Sequence, residues 1–143
     1  MSYATQQDMQ DRFGLPELLQ LTDRDNIPPS TVGAAVLARA LGDADALIDS
    51  YLGGRYQLPL AVIPDGLVKT ACDIARFYLF GSTAEVGGTV ERGYKLSLDW
   101  LESIASGSVQ LIVGADAPVE SGGSIIKFSS RPCDLTRENL RGL

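Results

Sequence analysis

Two aspartates, Asp45 and Asp49, have the residue type and spacing most suited to chemistry in this sequence. They are predicted to lie one turn apart on a helix, where two carboxylates can share a cation or divide the roles of general acid and base. Cation sites gather several oxygen ligands, and no second carboxylate pair at this spacing occurs within the predicted helices. We therefore interpret Asp45 and Asp49 as a solvated acidic face. A metal-dependent enzyme built on them is the weakest of three hypotheses.

Ser124 and Lys127 have the Ser-x-x-Lys spacing of some hydrolases in which lysine accompanies a serine nucleophile. That chemistry requires the start of a helix, where both side chains share one face. Here the pair falls in a β-type run, in which residues three apart point to opposite faces. The spacing is therefore attributed to chance.

The polar run Asp23-Arg24-Asp25-Asn26 begins like a calcium-binding loop. The pattern then fails, because Ile27 occupies a ligand position and Pro28 stands where the sharp turn needs glycine. The run is predicted to form a polar turn between helices.

The composition excludes much of the remaining catalytic chemistry. None of the 143 residues is a histidine, which removes serine and cysteine triads and the side chain best suited to proton transfer near neutral pH. Cys72 and Cys133 are too few for a thiolate metal cage, and Cys72 falls beside an apolar helix stripe. The chain is therefore predicted not to be an enzyme, with no metal and no cofactor.

The charge argues against nucleic-acid and membrane partners. The chain carries 12 basic and 18 acidic residues, a net charge of −6. Phosphate backbones and anionic lipids repel such a chain unless its cations cluster. The N-terminus lacks the basic start and apolar core of a signal peptide, and no apolar run reaches the roughly 18 residues of a membrane span. An intracellular, soluble protein is expected.

The spacing of apolar residues predicts a mainly α fold, a compact bundle of three long helices with a short N-terminal helical pair. The run from Thr5 to Asp8 is a capping box that begins the first helix, and Gly14 ends it. Ser30 or Thr31 is expected to cap the longest helix. The five predicted helices cover approximately residues 5–13, 15–21, 31–52, 65–80 and 89–105.

A change of composition after residue 106 predicts two parts, a helical body of residues 1–106 and an extended C-terminal arm of residues 107–143. Val109–Val113 and Ser124–Phe128 are short β-type runs in the arm. From Lys127 onward four basic residues face two acidic ones, so this part carries +2 and the rest of the chain −8. An arm of opposite charge suits docking on a neighbouring copy of the body. A solvated tail is the alternative.

Blocks of residues, in order along the chain, resemble a family of small head–tail connector proteins of Mu-like phages and prophages. The blocks are Tyr3–Gly14, Ile48–Leu60, Ala71–Leu79, and Tyr94 with Trp100-Leu101. They span residues 3–105, about three quarters of the chain. The arm matches only loosely.

The resemblance implies a virion structural protein without catalytic residues, assembled in the host cytoplasm. Related connectors form a ring, commonly twelve-fold, that contacts the portal on one side and a tail-side connector or terminator protein on the other. Their extended arms reach adjacent subunits. DNA would pass through the channel of the ring without specific binding, because an acidic lining removes the counterion release that drives phosphate binding.

The arm is the predicted contact region of such a ring, with Phe128 as an apolar anchor and Lys127 and Arg131 as charge partners. The interface must be head to tail, because only that kind closes into a ring. The alternative function is a small regulatory protein-binding module, monomeric or dimeric. The predicted contact residues are Val109, Leu111, Val113, Ile125, Lys127, Phe128 and Arg131.

Overall fold

The computed structural model describes residues 2–23, 26 and 29–112, and their regular structure is helical throughout. A single 3-10 turn, Gly81–Thr83, follows the fourth helix. The prediction of a mainly α protein is confirmed. The helices are α1 (Gln6–Phe13), α2 (Leu15–Thr22), α3 (Ala34–Leu52), α4 (Asp65–Phe80) and α5 (Thr89–Ser106).

The N-terminal helical pair forms as the sequence predicts. Thr5 and Asp8 make a reciprocal capping box, in which each side chain accepts from the other residue's backbone N–H. Gly14 ends α1 and precedes α2 with a φ of +84°, a left-handed value that glycine adopts without strain. The sharp turn at Gly14 lets Met9 of α1 and Leu18 of α2 enter the same core.

Helix α3 begins at Ala34 and its cap is Gly33, two or three residues after the predicted cap at Thr31 or Ser30. The cause lies in the loop before it, where Asp23 Oδ2 accepts hydrogen bonds from the backbone N–H groups of Ser30 and Thr31, at 3.0 and 3.2 Å. The Gly33 N–H donates to Thr22 Oγ1 at 3.0 Å. These amides are held by the end of α2, so the chain turns into the helix only after Gly33.

The core lies where the three long helices meet. Each of α3, α4 and α5 contacts the other two, and α1 and α2 pack against α4. The aromatic rings of Phe77 and Tyr94 stack between α4 and α5, with centroids 4.2 Å apart. Full burial of one large apolar side chain contributes about 1.5–3 kcal/mol. The largest fully buried side chains are Met9, Leu18, Leu37, Ile48, Leu52, Leu67, Cys72, Ile74, Leu101 and Ile104.

The chain after α5 differs from the prediction of a strand at Val109–Val113. Residues 109–112 are irregular, and residue 113 lies outside the described residues, as does the second β-type run, 124–128. The Val109 N–H donates to Ser103 O at 3.0 Å, and the Leu111 N–H donates to Tyr56 Oη at 2.9 Å. These two amides bind the helical body, so they are not available to a partner strand.

Two further predictions concern the C-terminal end of α5 and membrane-spanning helices. Helix α5 ends at Ser106, where the sequence predicts the boundary between body and arm. Across the described ranges, no helix combines the length and apolar character of a membrane span.

Candidate interaction site

The aspartates Asp45 and Asp49 bind the N-terminal segment, which corrects their interpretation as a solvated acidic face. Asp45 Oδ1 accepts a hydrogen bond from the Tyr3 N–H at 3.0 Å, and the Tyr3 phenol donates to Asp49 Oδ1. Burial raises the pKa of the Tyr3 phenol, and the hydrogen bond to Asp49 raises it further. Burial also raises the pKa of Asp45. Both carboxylates therefore hold Tyr3 in place at the edge of the core.

The other candidates for chemistry have structural environments. Cys72 is fully buried on α4, and burial raises the pKa of its thiol to about 11, so it is protonated at neutral pH and a poor nucleophile. Asp23 accepts hydrogen bonds within its loop, consistent with the predicted polar turn. Ser124 and Lys127 lie outside the described residues. Within residues 2–23, 26 and 29–112, no cluster of three or more histidine, cysteine, aspartate or glutamate side chains could hold a metal.

The point where the chain leaves α5 is a tightly constrained feature of the surface. Gly107 caps this helix with a φ of +87°, a left-handed conformation typical of helix C-termini. The guanidinium of Arg55, from the loop after α3, packs against it. A Cβ atom at residue 107 would overlap Arg55 Nη1 and lie 2.7 Å from Cζ. Position 107 therefore needs glycine for its backbone conformation and for its contact with Arg55.

Arg55 places a cation at the carboxyl end of α5, where the helix dipole favours positive charge. Its Nε is buried and has no hydrogen-bond partner among the described residues. Such a group is costly to leave unpaired, since burial removes its water. Arg55 therefore contributes shape and charge at this end of α5 without the full set of hydrogen bonds that a guanidinium can make.

Tyr56, next to Arg55, holds the following residues of the chain. It is buried, and its hydroxyl accepts the Leu111 N–H. Leu111 is only 8% exposed, whereas Ile112 is 90% exposed. Together, Arg55, Tyr56, Gly107 and Leu111 form a clamp that we call the arm base. The arm base fixes the place at which the chain passes from the body to residue 113.

Two of the seven predicted contact residues, Val109 and Leu111, lie at or beside the arm base. Val109 and Leu111 pack against the core of their own body, so their contact with a neighbouring copy stays a prediction. The other five lie outside the described residues: Val113, Ile125, Lys127, Phe128 and Arg131. Sequence reasoning missed the role of Arg55 and Tyr56 at the arm base. A signal was present, because an arginine and a tyrosine directly follow the glycine pair that ends α3.

The fold and the arm base define a mainly helical body from which a C-terminal segment leaves at a fixed point. The sequence matches the family described as "Bacteriophage Mu, Gp36" over residues 3–128, and the chain belongs to this family. It is 34% identical over 133 residues to "Mu-like prophage FluMu protein gp36" of Haemophilus influenzae, covering 86% of this chain and 91% of the relative. It is 33% identical over 141 residues to "Gene product J" of Escherichia phage Mu, covering 96% of each.

These matches confirm the Mu-like phage family that the sequence blocks indicate, and they make this a phage-derived protein. The matched region extends well past residue 105, where the recognisable blocks end. It includes the whole arm base and the predicted contact residues Ile125, Lys127 and Phe128.

Proposed function

We propose that this protein is a head–tail connector, a virion structural protein that forms a ring between the portal and a tail-side connector or terminator protein. It would act by assembly, without catalysis and without a cofactor. The observation that carries the proposal is the arm base. It gives every copy of the chain the same fixed exit point, at Ile112, for the sequence that follows.

Ring assembly needs a contact that is the same in every copy and joins two different surfaces. An arm that leaves from one fixed point and binds elsewhere on the next copy meets this requirement. The sequence continues for 31 residues after Ile112. A chain of that length spans roughly 100 Å when fully extended, which is ample to reach a neighbouring body.

The charge distribution supports the same assignment. The body is acidic and the chain from Lys127 onward is basic, so this end of the arm is attracted to any body, including that of the next copy. The acidic body would also let DNA pass through the channel, since like charges give phosphate no counterion-release advantage for binding.

Deletion of the gene from an inducible Mu-like prophage tests the proposal. We expect heads filled with DNA and separate tails to accumulate, because the two would have no connector. Expression of the wild-type chain from a plasmid should restore complete particles. A matched plasmid that encodes a chain ending at Ile112 should not, because it has the body and the arm base without the rest of the arm.

Electron microscopy and mass spectrometry of purified particles give the decisive readout. The chain should be present in complete particles in multiple copies, and a gold-labelled antibody should mark the junction of head and tail. Complete, infectious particles in the deletion strain would contradict the proposal. So would the absence of the chain from wild-type particles, which would favour the regulatory binding module.

A further inference from the structure

An apolar groove between α4 and α5 has no occupant within the described part of the chain. Its volume is about 300 Å³. A cavity of about 150 Å³ holds one benzene molecule, so this groove can accept roughly two apolar side chains. The residues that line it are Gly66, Lys69 and Thr70 on α4 and Leu96, Ser97 and Trp100 on α5.

Helices α4 and α5 approach each other closely at one point of the groove. Gly66 lies against the Trp100 ring, and a Cβ at residue 66 would be 3.1 Å from Cη2. The tryptophan therefore forms a floor between the helices, and Leu96 stands beside it, one turn earlier on α5. Leu96 is 63% exposed, a large value for a leucine in the middle of a helix.

Two exposed carboxylates flank the residues that line the groove. Asp65 lies one turn before Lys69 on α4, and Asp99 lies three residues after Leu96 on α5. Neither makes an ion pair with a residue in the described ranges. Lys69, the cation in the lining, has an acidic partner of its own in Asp73, at 2.7 Å. The groove therefore favours an apolar ligand that carries positive charge.

We propose that this groove binds residues 125–131 of a second copy of the chain. The inference rests on the proposed ring and names the surface that receives the arm. Between Ser121 and Cys133 the sequence has two cations, Lys127 and Arg131, and no anion. It also has three large apolar residues within four positions, Ile125, Ile126 and Phe128. In an extended ligand, residues two apart point to the same side, so Ile126 and Phe128 can enter the groove together.

The donor is a neighbouring copy because the proposed ring requires a contact that joins two subunits. Donation from one copy to the next leaves each copy with one occupied groove and one engaged arm. This is a heterologous contact, the kind that closes into a ring. Return of the arm to its own groove would satisfy the same chemistry but would join no subunits, and the experiment below separates the two.

Disulfide trapping between differently labelled chains tests the proposal. Two chains, both with Cys133→Ser, carry Leu96→Cys in one case and Phe128→Cys in the other, and they are produced together in the complemented deletion strain. Cys72 stays in place because it is fully buried. Under mild oxidation of purified particles we expect a disulfide between the two chains, identified by mass spectrometry. The matched control replaces Leu96→Cys with Val86→Cys, at a residue that is 92% exposed and outside the groove.

The proximity of residues 96 and 128 in the assembly should raise the disulfide yield about tenfold over the Val86 control, because a bound partner has a high effective concentration. Equal yields from residues 96 and 86 would overturn the inference and leave the proposed connector role intact. A chain with both cysteines that forms only an internal disulfide would also overturn it. The wild-type chain is produced beside the variants so that particles still form. A Leu96→Cys or Phe128→Cys chain that is excluded from these particles, while the Val86→Cys chain enters them, would equally support the contact.

Charge reversal supplies a second, independent readout. Asp99→Lys should lower the yield of the 96–128 disulfide about tenfold by replacing attraction with repulsion, and Lys127→Glu in the partner should restore it. Asp43→Lys, at an exposed position of α3 away from the groove, is the matched control and should change nothing. A loss from Asp99→Lys that Lys127→Glu fails to restore would contradict a charge contact between Asp99 and Lys127.

Discussion

Arg76 on α4 forms a two-pronged ion pair with Glu17 on α2, with Nε 2.6 Å from Oε1 and Nη2 2.9 Å from Oε2. The guanidinium carbon of Arg76 also lies 4.4 Å from the centre of the Phe13 ring on α1. One side chain therefore ties both N-terminal helices to the core. The two charged side chains are 23% and 26% exposed, so water screens them less than the Lys69–Asp73 pair, whose lysine is 65% exposed.

Arg76→Lys should lower the free energy of unfolding by about 1–2 kcal/mol, because lysine cannot reproduce the planar fork or the ring contact. Lys69→Gln, the control at an exposed pair, should change it by less than about 0.5 kcal/mol. Urea unfolding followed by circular dichroism measures both. Equal losses from the two substitutions would contradict a special role for Arg76.

Gly107→Ala should lower the free energy of unfolding by about 2 kcal/mol or more, since it combines a left-handed backbone with a side-chain overlap. The backbone part alone is about 1 kcal/mol. In an Arg55→Ala background the overlap is gone, so the cost of Gly107→Ala should fall to that part. An equal loss of unfolding free energy from Gly107→Ala in both backgrounds would show that the Arg55 side chain is not the reason that position 107 needs glycine.

Gly54→Ala is the matched control for the glycine at position 107. Gly54 has no positive φ, and a Cβ there would meet nothing within 4 Å. We expect the unfolding free energy of Gly54→Ala to stay within about 0.5 kcal/mol of the wild-type value. If Gly54→Ala and Gly107→Ala lowered the unfolding free energy equally, the loss would come from alanine at any of these turns and would contradict the specific role of Gly107.

The helices could be predicted because their signals are local. The capping box at Thr5, the glycine at position 14 and the apolar stripes of α4 and α5 each act within a few residues, and their predicted bounds agree with the structure. The predicted start of α3 was wrong for a physical reason. Asp23 binds the amides of residues seven and eight positions away. A prediction from local helix preference cannot include this competition for the amides.

The arm base could not be predicted because it depends on contacts between distant residues. Arg55 and Gly107 are 52 positions apart, and Tyr56 and Leu111 are 55 apart. The alternating apolar residues at 109 and 111 are typical of a strand. The same alternation also fits an irregular segment that buries one side against helices. Only the tertiary structure distinguishes the two, by showing Tyr56 Oη as the partner of the Leu111 amide.

Tyr56→Phe tests the clamp on the arm with a single oxygen atom removed. The Leu111 N–H would lose its partner while it stays largely buried, which costs about 1–3 kcal/mol. Hydrogen exchange of the Leu111 amide should become faster, and the unfolding free energy should fall. Tyr51→Phe, at a half-buried tyrosine of α3, is the control and should leave Leu111 exchange unchanged. Unaltered exchange at Leu111 in Tyr56→Phe would contradict the clamp.

Asp23→Asn tests the loop that sets the start of α3, through its dependence on pH. Hydrogen bonds from the Ser30 N–H, from the Asn26 side chain and from the Thr31 N–H hold the pKa of Asp23 below its ordinary value of 3.8. The unfolded chain therefore takes up this proton at a higher pH than the folded chain. The resulting stabilisation is fully present above the ordinary pKa and is lost as the pH falls through the lower, folded value.

Asparagine does not titrate, so the wild type should be more stable than Asp23→Asn at pH 6, and the difference should shrink as the pH falls below 3.8. Urea unfolding of both chains at a series of pH values from 6 down to 3 measures this difference directly. Because both chains share every other titrating group, the difference isolates residue 23. A difference that stays constant across the series would mean that the shape of the Asp23 side chain, and not its charge, holds the amides of Ser30 and Thr31.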